Sequence, residues 1–216
     1  MAKLKIGVLI SGSGSNLQAL IDTCHAPDFP AEISLVLSNI PGVIGLERAS
    51  QIGIPTATID HTQFESRKKF DAEMTRVLEE NDIKFVFLAG FMRLLSDPFV
   101  KRWHDRLVNI HPSLLPAFKG LNVHDRVIQE GARFSGCTVH FVRPALDDGP
   151  IIVQACVPVQ QDDTPDTLAA RVLEQEHIIY PIALKLISDG QVHVTGERAI
   201  IDDPIYPEKS LVNPTR

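Results

Sequence analysis

Cysteine is scarce in this chain. Cys24, Cys137 and Cys156 are odd in number and far apart, and no Cys-x-x-Cys pair occurs. That excludes a disulfide framework and a thiolate metal site, so reduced thiols and no metal are expected. Long apolar runs are also missing. The longest, such as Phe85 to Leu88 and Ile151 to Val153, have strand length, far short of the roughly 20 residues of a membrane span. The opening residues lack a signal-peptide pattern, so a cytoplasmic location is expected, with no membrane partner. Positive charge is not in excess either: 21 Lys and Arg face 27 Asp and Glu, for a formal net charge of −6. A protein that grips a nucleic-acid backbone needs clustered cations, so a small-molecule partner and no nucleic acid are expected. No repeat, low-complexity tract or linker breaks the 216 residues, of which 44% are hydrophobic, and one domain over 1–216 is the reading.

What is present alternates between strand and helix patterns. Lys5 to Ile10 is an apolar run, Ser11-Gly12-Ser13-Gly14-Ser15-Asn16 follows, and Leu17, Leu20, Ile21 and Cys24 then recur at helical spacing. Ile33 to Leu37 and Ala57 to Ile59 read as further strands, with a modest helix over Val43 to Ser50 between them. Phe70, Met74 and Val77 mark the core stripe of a helix over Ser66 to Glu80, with Arg67 on the same stripe one turn earlier. Phe85 to Leu88 has the continuous apolar character of a strand buried on both faces. Ser135 to Val142 and Ile151 to Val159 read as an antiparallel hairpin, and Thr164-Pro165 opens a long helix that Gly190 ends. The fold class is α/β: a mostly parallel, helix-flanked central sheet with an antiparallel hairpin in the C-terminal part. Ligands bind such sheets outside the carboxyl ends of their strands.

Three unusual segments fall at that rim. The serine-glycine loop opens a helix, where free amides favour an anion such as phosphate, although Leu17 occupies the third glycine position of a dinucleotide fingerprint and a plain tight turn has the same local pattern. Ala89 to Leu95 is apolar for a loop, so it packs as core or lines a pocket for a flat ligand. Asn109-Ile110-His111-Pro112-Ser113-Leu114-Leu115-Pro116 ends a buried strand with a carboxamide and an imidazole on the same face, and two prolines stop the strand after them. Such a pair can bind a developing oxyanion and move a proton. Asp147 and Asp148 sit in the long hairpin connection, and Glu176 lies mid-stripe on an apolar helix face, where a carboxylate needs a partner or a polar ligand. Arg67, at a helix start, is placed for a ligand carboxylate or is simple surface charge.

Five segments agree in order with one known family: Gly12-x-Gly14-Ser15-Asn16-Leu17, Ala89-Gly90-Phe91-Met92-Arg93, Asn109 to Pro116, Asp147-x-Gly149-Pro150 and Gln175-Glu176-His177. On these residues the chain resembles the folate-dependent formyltransferases, in the branch that formylates glycinamide ribonucleotide during purine synthesis. The resemblance covers essentially the whole chain and implies a Rossmann-like fold. It divides into a phosphate-binding half over 1–110 and a folate-binding, completing half over 111–216. It implies that Gly14, Ser15 and Asn16 hold the ribonucleotide phosphate, while Leu173, Glu174, Gln175 and Glu176 meet its ribose and glycinamide end. Met92, Arg93, Leu94 and Leu95, with Asn109 and the loop Val142, Arg143, Pro144, Ala145, Leu146 and Asp147, would cradle the pteridine of 10-formyltetrahydrofolate, and Arg67 would lie near its glutamate tail. Asn109, His111 and Asp147 match the catalytic positions, and no metal is implied. Two positions depart from the pattern: Asn122 stands where relatives often have histidine, and Asp148 replaces a common glycine.

In the implied reaction the ribonucleotide amine attacks the formyl carbon. Asn109 binds the oxygen that becomes negative, and His111, held by Asp147, supplies positive charge or a proton. His140 sits on a strand aimed at the same region, but its spacing pairs it with no carboxylate. Methionyl-tRNA formyltransferase and formyltetrahydrofolate deformylase share the family but carry additional domains that this chain is too short to provide. A non-catalytic nucleotide-binding module would leave the three matched residues unexplained. A monomer or weak homodimer is expected.

Overall fold

The computed structural model describes residues 2–215. Its main sheet has seven strands: β1 (Leu4–Ile10), β2 (Ala31–Ser38), β3 (Thr56–Thr58), β4 (Phe85–Leu88), β5 (Leu107–His111), β6 (Phe134–Phe141) and β7 (Ile151–Pro158). They run in the order β3-β2-β1-β4-β5-β6-β7. The first five are parallel, and β6 and β7 are antiparallel to their neighbours. The helices are α1 (Ser15–Cys24), α2 (Ile44–Gln51), α3 (Arg67–Glu80), α4 (Asp97–Arg102), α5 (Val123–Gln129) and α6 (Pro165–Ser188). A short ribbon of β8 (Val192–Thr195) and β9 (Arg198–Ile201) follows them. No helix among the described residues is long and apolar enough to cross a membrane.

Side-chain alternation along the strands divides the core into two layers. Ile6, Val8 and Ile10 of β1 face α1, α5 and α6, where Leu17, Leu20, Val127, Leu168, Val172 and Tyr180 meet them. Leu9, Val86 and Leu88 face the other way, against Phe70, Met74 and Leu78 of α3 and Phe99 of α4. A sheet covered on both faces explains why Phe85 to Leu88 is continuously apolar. The long α6 starts at Thr164, whose hydroxyl accepts from Thr167 N in a capping box, and it continues past Pro181 to Ser188. Tyr180, fully buried, ties that helix to the sheet by donating to Leu88 O at 2.9 Å.

The chain runs outward from β1 to β2 and β3, then returns to place β4 on the other side of β1. That reversal opens a crevice at the carboxyl ends of β1, β4 and β5. The loops leaving those strands are the serine-glycine loop, Ala89 to Leu95 and Pro112 to Asn122. One expectation shifts: β3 ends at Thr58, and Ile59 is a buried residue beyond it whose amide bonds Ser38 O at 2.9 Å.

Candidate active site

The serine-glycine loop is braced from below. Ser11 N donates to Gly90 O at 3.2 Å, and Ser11 Oγ donates to Asn39 Oδ1 at 2.5 Å while accepting from Met92 N at 2.8 Å. The loop after β1 is thereby tied to the loop after β4. Gly14 holds φ 71°, the left-handed region, as the residue capping α1, and no side chain caps the helix. A Cβ at Gly14 would lie 2.9 Å from the Cα of Gly45, so α2 also closes on this turn. The result is a rigid turn whose opening helix amides are left for a ligand, an arrangement suited to a phosphate.

Behind that turn lies a cavity of about 460 Å³, within the size range of small-ligand sites. The loop Ser11 to Asn16 forms one wall, with Ala89, Gly90, Met92, Ile110 and Pro112, and Ala169, Ala170, Leu173 and Glu176 of α6 form another. Asn16 Nδ2 donates to Glu176 Oε2 at 2.6 Å across 160 residues of sequence. Glu176 is only 7% exposed. Burial pushes its carboxyl above the ordinary value, and the Asn16 bond offsets this in part. Asn16 Oδ1 is buried without a partner, an unmade bond facing the same region. Of the segment expected to meet the ribose, Leu173 and Glu176 line the cavity; Glu174 is exposed, Gln175 is half-buried, and neither lines it.

At the end of β5, His111 is buried and Asn109 half-buried. His111 Nε2 lies 3.0 Å from Phe118 O, and because a carbonyl only accepts, that nitrogen carries a proton. Its Nδ1 lies 3.5 Å from Asp147 Oδ2. The same carboxylate oxygen accepts from Gly120 N at 2.7 Å, and Asp147 itself holds a φ of 45°. Next to it, Asp148 pairs with Lys119 at 2.8 Å. Two successive aspartates of the hairpin connection therefore clasp the loop after β5.

His140 is more than a bystander. The antiparallel register sets it directly opposite Asn109. Its Nδ1 lies 2.9 Å from Phe141 O and its Nε2 lies 3.4 Å from Asn109 Nδ2. Burial holds its pKa below the ordinary histidine value, so the ring is neutral: Nδ1–H donates to the carbonyl and Nε2 accepts from Asn109. The Asn109 carboxamide is thus oriented with one N–H still free. Sequence spacing gives no sign of this pair, because it forms across two antiparallel strands.

The expected folate-side residues divide. Met92, Arg93 and Leu94 are exposed and Leu95 is half-buried; Pro144, Ala145 and Leu146 are exposed and Val142 is half-buried. Met92 and Leu94 on one loop and Leu146 on the other are exposed apolar side chains, suited to a flat, partly apolar ligand. The Arg143 side chain is instead buried in ion pairs with Asp105 at 2.7 Å and Glu197 at 3.3 Å, while its backbone amide donates to Asp148 O at 3.2 Å within the loop. Arg67 is exposed rather than core-facing, because the packed ridge of α3 begins a turn later at Phe70 and Asp71. It lines an open groove with Ser66, Lys68, Ser96 and Lys101. Sequence reading also missed His124, which lines the cavity from α5. No cluster of three or more potential metal ligands occurs among the described residues.

Residues 4–184 match the family model described as formyl transferase. The phosphoribosylglycinamide formyltransferase of Escherichia coli (strain K12) is 44% identical over 204 residues, spanning 94% of this chain and 96% of that protein. The trifunctional purine biosynthetic protein adenosine-3 of Gallus gallus is 54% identical over 192 residues, 89% of this chain, and the chain spans only 19% of its length. Among solved structures, glycinamide ribonucleotide transformylase 1 from Symbiobacterium toebii superposes with a TM-score of 0.90 at 43% identity, covering 93% of this chain and 95% of that one.

Proposed function

The chain belongs to the formyl transferase family, and from that premise we propose that it transfers the formyl group of 10-formyltetrahydrofolate to the amine of glycinamide ribonucleotide. The products are N-formylglycinamide ribonucleotide and tetrahydrofolate, in a cytosolic step of purine synthesis that calls on no metal. One observation carries the reading: Asn109 and His111, the latter facing Asp147, stand at the end of β5, whose Ile110 and the following Pro112 line a cavity with an uncapped helix start at one end and Glu176 in its wall.

The phosphate sits on the amides of Gly14, Ser15 and Asn16. Glu176, pre-oriented by Asn16, meets the ribose or glycinamide end as an acceptor. The exposed side chains of Met92, Leu94 and Leu146 receive the pteridine, and Arg67 attracts the glutamate carboxylate. When the amine attacks the formyl carbon, negative charge develops on the carbonyl oxygen, and the free N–H of Asn109 stabilises it. His111 supplies positive charge or a proton towards the departing folate nitrogen, with Asp147 holding the ring, and the proton shed by the attacking amine passes to the imidazole, directly or through a water, which restores the balance. In the present arrangement Nε2 of His111 is bonded to Phe118 O, so direct proton delivery from that atom requires the loop after β5 to release it.

Release of tetrahydrofolate from 10-formyltetrahydrofolate, followed with and without glycinamide ribonucleotide, tests the assignment. Release that depends on the ribonucleotide is expected. Release without it would make the protein a deformylase, and no release in either case would leave a binding module.

A further inference from the structure

The cavity that we read as the ribonucleotide's seat has a chemical peculiarity. It takes a phosphorylated ligand in that reading, yet no Lys or Arg is among the residues that line it. Hydroxyls and amides of Ser11 to Asn16 supply donors, Glu176 is the one acid, and His124 is the one basic side chain. His124 is the second residue of α5, a helix whose inner face is anchored by Val123 and Val127, 4% and 0% exposed. The ring is therefore held at the cavity wall by packing.

Its hydrogen bonding is incomplete. Nδ1 is sealed from solvent with no partner. A proton on a sealed nitrogen without an acceptor is an unmade hydrogen bond, so the neutral ring keeps its proton on Nε2, the nitrogen left for the cavity. Burial also disfavours the charged ring; His111 nearby acts in the same direction and Asp125 opposes it. A histidine with a purely structural role would be expected to use its ring nitrogens on the protein, and among the described residues this one does not.

We propose that His124 is a ribonucleotide-binding residue, donating its Nε2–H to an oxygen of the bound phosphate or ribose. It selects its ligand by hydrogen-bond geometry. This inference rests on the proposed function, because it takes the cavity to be the ribonucleotide's.

Two amide substitutions test it. His124→Gln carries an N–H to about the reach of Nε2, whereas His124→Asn carries one only to the sealed position of Nδ1. In steady-state assays His124→Asn should raise KM for glycinamide ribonucleotide about tenfold or more. KM for 10-formyltetrahydrofolate and kcat should change little, and His124→Gln should stay near wild type. Repeating the comparison with the dephosphorylated riboside locates the acceptor: a vanished difference assigns it to the phosphate, a retained one to the ribose. Equal KM values for the ribonucleotide in the two variants, with thermal unfolding like that of wild type, overturn the inference. A variant that fails to fold is replaced by His124→Leu, whose KM must then rise as predicted for Asn. A wild type that shows no saturable dependence on the ribonucleotide would instead overturn the function itself.

Discussion

Glu176→Gln should make the protein more stable and a poorer enzyme. The wild-type carboxylate is 7% exposed and has one short bond, 2.6 Å from Asn16 Nδ2. Burial raises its pKa above the ordinary 4.5. Below 4.5 the carboxyl is protonated in both folded and unfolded chains, and the substitution is nearly neutral. As pH rises above that value the unfolded chain loses its proton first, so wild-type stability falls until the folded-state pKa is passed. Each unit by which burial lifts the pKa corresponds to about 1.4 kcal/mol lost at higher pH. In a chain of this length each kcal/mol is read as about 2–4 °C in Tm. The glutamine oxygen still accepts from Asn16, although a bond to a neutral group is about half as strong, which returns part of the gain. Thermal unfolding of both proteins across pH should give curves that coincide in acid and separate in mildly alkaline buffer, with the variant above. In the same preparation KM for glycinamide ribonucleotide should rise more than KM for 10-formyltetrahydrofolate. A variant that is less stable at every pH, with unchanged kinetics, would show that Glu176 is only a structural partner of Asn16.

Asp147→Asn keeps the shape and removes the charge that faces His111; kcat should fall by about 10², and His111→Ala should add little in that background because the two act as one unit. Fully additive losses in the double-mutant cycle would separate them. Gly14→Val forces a β-branched residue into a φ of 71° and sets its Cβ 2.9 Å from the Cα of Gly45. Calorimetric titration should show weakened ribonucleotide binding with folate binding spared, whereas equal loss of both would make the loop merely structural. Arg67→Ala removes an exposed side chain, so stability should stay within about 0.5 kcal/mol, while KM for 10-formyltetrahydrofolate rises and that for the ribonucleotide does not. No kinetic change would leave Arg67 as surface charge.

Local patterns carried the architecture. The apolar runs at Ile6 to Ile10 and Phe85 to Leu88, the Thr164-Pro165 helix start and the hairpin from Ser135 to Val159 are all present in the fold, with ends moved by a residue or so. The conflict of Glu176 with its apolar stripe correctly marked a buried carboxylate. Its partner was not legible, because Asn16 meets it only after α1 and α6 pack together on one face of the sheet. His140 and Asn109 meet through an antiparallel register across the sheet, and His124 reaches the cavity through the packing of α5. Arg143 is the converse case. Its position in the loop made it a ligand candidate, while the ion pairs that bury it come from Asp105 and Glu197, remote in sequence and without any local signal. Arg67 shows the limit of helical periodicity, which gives an angular position but not where along the helix packing begins.

The central claim is that this site moves a formyl group from folate nitrogen to ribonucleotide amine. The most direct measurement supplies 10-formyltetrahydrofolate carrying carbon-13 in the formyl group, together with glycinamide ribonucleotide, and follows the label by NMR. The label should leave the folate and appear as the formamide carbon of the ribonucleotide, and this should stop when Asn109, His111 and Asp147 are replaced together. Label recovered as formate, or transfer that survives the triple replacement, would contradict the account.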